Sequence, residues 1–113
     1  MGAMNRGYVK LWRKALYEGW LQNHNVWVLW CYFLLKATHK PITITVGNQR
    51  VVLAPGQLIF GRRIAAEETG LTEREIRTSL ELLRRWQNVT IKTTNKFSII
   101  TIVNWHSYQG CTY

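Results

Sequence analysis

The chain is poor in the residues that build cross-linked or metal-held scaffolds. It has two cysteines in 113 residues, Cys31 inside an apolar run and Cys111 near the C-terminus. Two such thiols make neither a framework of bridges nor a paired-cysteine metal site; a reducing cytoplasm is expected, with Cys31 a small buried hydrophobe. His24, His39 and His106 share no metal-ligand spacing, so no metal and no cofactor is expected. Long apolar runs are missing too: the longest, Val26 to Leu35, is half of a bilayer span, and no membrane partner follows. The N-terminus lacks an apolar signal region, and Met1-Gly2-Ala3 reads as an expression-vector remnant. There is no carboxylate pair and no nucleophile with its base. Gly61-Arg62-Arg63 lacks the Gly-Lys-Ser/Thr ending of a phosphate loop, so the residues read as non-enzymatic.

Acid is also scarce. Six Asp+Glu face 15 Lys+Arg, a net charge of +9 that favours polyanions such as nucleic acid. The excess is spread, with +6 over residues 1–60 and +3 over residues 61–113. Hydrophobic residues make up 47% of the chain, enough for a core, and the length suits one domain. We expect that domain over residues 7–109, with 1–6 a tag or disordered start and 110–113 a tail.

Periodicity supplies the elements. Tyr8, Leu11, Trp12, Ala15, Leu16 and Gly19/Trp20 recur at helical spacing and predict an amphipathic first helix. Asn23 or Asn25 can cap a second, from about Val26 to Thr38, apolar on every face through Leu35 and stopped by Pro41. Such a helix is central to the core or covered by a second subunit. Ile42–Val46 and Arg50–Leu53 alternate around Gly47-Asn48 and predict a hairpin; Gln57–Phe60 predicts a short strand. Ile64 to Thr69 forms a short helix ended by Gly70, and Thr72-Glu73-Arg74-Glu75 is a capping box opening a helix over about 72–87.

Two helices across a glycine-containing turn have the form of a helix-turn-helix. A second hairpin follows, Val89–Thr93 and Phe97–Val103, with Lys92 and Lys96 near its tip. The expected fold is therefore α+β, mainly α: a winged helix-turn-helix with N-terminal helices and a β-hairpin wing. A helix fits the major groove and a basic hairpin reaches the backbone beside it. Candidate contacts to double-stranded DNA are Arg62, Arg63, Thr72, Arg74, Arg77, Thr78, Lys92 and Lys96. Arg74, Arg77 and Thr78 also fit an ordinary solvated face beside Glu73 and Glu81, and the lysines also fit protection of an exposed strand.

Three segments carry a resemblance: Ala54-Pro55-Gly56-Gln57-Leu58-Ile59-Phe60-Gly61-Arg62-Arg63-Ile64-Ala65, Gly70-Leu71-Thr72-Glu73-Arg74-Glu75-Ile76-Arg77, and Asn104-Trp105-His106-Ser107-Tyr108-Gln109. Together they resemble the N-terminal winged-helix domain of phage replication initiators (replisome organisers), and more loosely that of DnaD-type primosomal proteins. The resemblance implies origin-DNA binding and self-association; the apolar 26–35 helix, which also fits the core, is the candidate for a homo-oligomer contact. The resemblance also implies that a replicative helicase or its loader is engaged by a separate C-terminal region, which this chain, stopping at Tyr113, is expected to lack. A transcriptional regulator and a protein–protein assembly scaffold are the other functions open to the same fold.

Overall fold

A computed structural model describes residues 9–11, 13–94 and 97–109, in an α+β arrangement. Tyr8, Trp12, Asn95, Lys96 and Cys111, the expected tag over 1–6 and the expected tail over 110–113 lie outside the described residues.

The N-terminal helix is far shorter than its periodicity predicts. Helix α1 covers only Lys14–Tyr17, and a 3₁₀ turn follows at Trp20–Gln22. Between them Gly19 takes a left-handed φ of 81° that no continuing helix allows. Leu11 and Leu16 stay about three-fifths exposed; of the expected stripe, Ala15 and Trp20 reach the core. A short amphipathic segment holds a helix only where packing buries its apolar face, and Leu11 and Leu16 find no such cover.

Helix α2 spans His24–Lys36, with Asn23 Oδ1 accepting the Val26 N–H at 3.3 Å. It stops before Thr38 and well before Pro41. Thr38 is drawn into extended pairing instead: its N–H donates to the Gln57 carbonyl at 3.0 Å, and its own carbonyl accepts from Gly56 N–H at 2.8 Å. Val26, Leu29, Trp30, Phe33 and Leu34 are buried, but Leu35 is 71% exposed and Cys31 is half-buried. One side of α2 is core and the other meets solvent, so it is not apolar-buried all round. Cys31 is correspondingly only a partial fit to a buried hydrophobe, and its partial burial pushes the thiol pKa up.

Strands β1 (Ile42–Val46) and β2 (Gln49–Leu53) pair antiparallel as a two-stranded sheet of their own, with Ile44 opposite Val51 and Ile42 opposite Leu53. That apolar face carries the buried Val51 and Leu53, while Thr43, Thr45, Arg50 and Val52 are exposed on the other. Strand β3 (Gln57–Phe60) joins β4 (Val89–Thr93) and β5 (Ser98–Ile102) in a second, antiparallel sheet of order β3-β5-β4. Leu58, Phe60, Val89, Ile100 and Ile102 turn one face of it into the core, where Phe33 of α2 meets Phe60 edge-on at 5.6 Å.

Between β3 and β4 lie α3 (Arg62–Thr69) and α4 (Glu73–Arg85). Gly70, left-handed, ends α3, and the capping box opens α4: Thr72 Oγ1 accepts Glu75 N–H at 3.0 Å and Glu75 Oε1 accepts Thr72 N–H at 2.9 Å. Ala65 of α3 and Ile76 and Leu83 of α4 are fully buried in the core.

The Pro55-Gly56-Gln57 and Asn104–Gln109 segments are joined structurally. Gly56 carries φ 87° and sits against Trp105; its carbonyl accepts Ile102 N–H at 2.9 Å. Gln57 accepts from Ala54 N–H and donates to Thr101 Oγ1. Helix α5 (Trp105–Gln109) ends on the buried Gln109, whose Oε1 accepts Lys10 N–H at 2.8 Å and whose Nε2 donates to the Lys10 carbonyl at 3.2 Å. Trp105 is buried, in keeping with a packing role; the side chain of Tyr108 lies outside the described residues.

Candidate functional site

The first turn of α3 presents Arg62 and Arg63 to solvent, and α4 presents Thr78, Arg74 and Arg77, with Thr72 exposed at its cap. Arg74 and Arg77 stand three residues apart, hence on one flank of the helix. That placement follows from the buried stripe of Ile76, Ser79 and Leu83, which fixes which side of α4 faces inward.

A groove of about 500 Å³ runs between α4 and the β4–β5 hairpin. Arg62 and Arg77 both line it, although they belong to different helices. Leu80, Ile91 and Phe97 contribute its apolar wall, and Thr93, Thr94 and Ser98 its hydroxyl end. Gly61, also in the lining, precedes α3 without a side-chain cap and with no acid in the first turn. The free amides and dipole of that turn therefore add positive potential beside Arg62.

Ion pairing sorts the cations. Glu81 takes a two-pronged contact from Arg84 and a looser one from Arg85, and this holds the Glu81 carboxyl below its ordinary range. Arg63 pairs with Glu67 at 3.3 Å. Glu68 accepts Tyr32 Oη at 2.6 Å and lies 3.4 Å from Lys36 Nζ. Its carboxyl is lowered by those two partners, first Tyr32, while burial and then the Glu68 bond raise the Tyr32 phenol. Among the described residues Arg62, Arg74 and Arg77 form no ion pair, so their charge is unspent within the fold.

Lys92 does not join this cluster. Strand alternation puts Ile91 and Thr93 toward the groove and Lys92 on the opposite face of the sheet, opposite Ile99. The expected convergence of Lys92 with the arginines is thus replaced by a position behind the hairpin, and Lys96 lies outside the described residues. Conversely, Thr93, Phe97 and Ser98 line the groove without having stood out in the sequence. For Thr93 and Ser98 the signal was the inward register set by Val89, which fixes every second residue of β4 and, across the pair, of β5; Phe97 precedes β5 and alternation does not mark it.

No group of three or more His, Cys, Asp or Glu side chains that could hold a metal occurs among the described residues, and no helix among them is long and apolar enough to cross a membrane. No family model, curated protein or solved structure matches the chain.

Proposed function

We propose that this chain is a non-enzymatic, winged-helix module that binds double-stranded DNA and serves replication initiation. The order of α3, turn, α4 and a β-hairpin with β3 as third strand supports that fold reading. The observation that carries the DNA reading is the shared groove: Arg62 and Arg77 converge from two helices, both without an ion pair among the described residues, while Arg63 pairs with Glu67 and Arg84 with Glu81. Helix α4 would enter the major groove with Thr72, Arg74, Arg77 and Thr78 toward the duplex. Arg62 and the uncapped start of α3 would hold a flanking phosphate. The paired Arg63 contributes less, and Lys92 reaches only a strand passing behind the hairpin. Replication as the setting rests on the resemblance of residues 54–65, 70–77 and 104–109 to phage replication initiators.

The test is a titration of fluorescent duplex across a salt series. Affinity falls steeply with salt, and Arg74→Ala with Arg77→Ala lowers the slope of log K against log salt by about two. A folded double variant with unaltered affinity and slope would move the contact elsewhere. Absence of binding at low salt would remove the DNA reading.

A further inference from the structure

The groove is built for more than a backbone phosphate. A phosphate on a duplex needs cations and amides, and Arg62, Arg77 and the start of α3 supply them. It has no use for the apolar wall of Leu80, Ile91 and Phe97, because the bases of a duplex keep their faces stacked on one another. Yet that wall and the two arginines line the same space, and its volume of about 500 Å³ falls within the range that encloses a small organic ligand. A ligand complementary to both halves carries a negative charge at one end and a flat apolar surface at the other. We propose that the groove takes a nucleotide of single-stranded DNA, its phosphate between Arg62 and Arg77 and its unstacked base against Phe97 and Leu80. The hydroxyls of Thr93 and Ser98 close the far end. Base stacking of this kind is sequence-tolerant, because every base offers a π-face. The inference rests on the DNA-binding reading and deepens it: Arg62 and Arg77 serve one form at a time, a duplex phosphate in one complex and the phosphate of an unpaired nucleotide in the other.

The experiment compares two fluorescent oligomers of equal length on the full chain, oligothymidylate and the same backbone carrying abasic sugars. If the groove reads the base, oligothymidylate binds on the order of tenfold tighter, and Phe97→Ala brings the two together. Equal affinity of the unaltered protein for both oligomers overturns the inference with no need of a variant. So does a preference for oligothymidylate that persists in a folded Phe97→Ala protein. Duplex titrated in parallel separates the two failures. A chain that binds duplex but ignores the loss of bases loses only the groove assignment, whereas one that binds neither duplex nor oligothymidylate loses both readings.

Discussion

Gly56 is where a single atom decides most. Its φ of 87° already disfavours a side chain, and a Cβ built there would meet Trp105 Cβ and Cγ at 2.8 Å. Gly19 has a nearly equal φ of 81° with nothing within 4 Å. Gly56→Ala therefore combines backbone strain with overpacking, a loss of about 3 kcal/mol, whereas Gly19→Ala carries the strain alone, about 1 kcal/mol. Urea unfolding of the two variants measures the difference; equal midpoints would show that Trp105 yields freely. The same contact explains why the Pro-Gly-Gln and Asn-Trp segments go together. They are two sides of one packing contact, Gly56 against Trp105, so both segments help to hold the frame.

Between elements, the contact of α2 with α3 has the clearest electrostatic signature. Glu68 is held below its ordinary pKa of 4.5 by Tyr32 and Lys36. A carboxyl lowered in the folded state contributes stability that is complete above its unfolded pKa and disappears as pH falls through the lower, folded one. Glu68→Gln should therefore destabilise the protein at neutral pH, with the gap to the unaltered chain closing as pH drops below 4.5. Chemical denaturation at stepped pH checks this, and a gap that stays constant would mean that the hydrogen bond alone matters. At this scale much of the fold was legible. The hairpin at Gly47-Asn48, the strand after Pro55-Gly56, the Gly70 stop and the Thr72–Glu75 box are fixed by neighbours within a few residues. The N-terminal helix was not legible, because the stripe of Leu11, Ala15 and Leu16 says which face could be buried and not whether anything covers it. Nor does alternation tell which strands pair, so the division into two sheets needed the structure. For the site, exposure of Arg62, Arg74 and Arg77 could be read from helical spacing. The meeting of Arg62 and Arg77 with Phe97 and Ser98 could not, since it depends on β5 returning beside β3. The side of Lys92 is fixed by alternation along β4, away from Ile91 and Thr93, and nearness to the hairpin tip does not change it.

Across the whole molecule, charge is spread while unpaired charge on the groove is local. The +9 excess sets a general field, but Arg50 lies on the separate β1–β2 sheet and Arg62 lines the groove. Arg50→Ala should leave the salt slope of duplex binding in place, and Arg62→Ala should lower it by about one. Salt titration of both variants decides between a localised contact and a diffuse cloud; equal effects would favour the cloud. Architecture at this scale also has a seam. Gln109 grips the backbone of Lys10 through both ends of its amide, so segments separated by nearly the whole sequence lie side by side. The molecule is thus a ring in all but covalency. Joined by a short linker across that seam and cut open at the exposed Gly47-Asn48 tip, it keeps the same interior with new ends, a reordering of the gene that this topology permits.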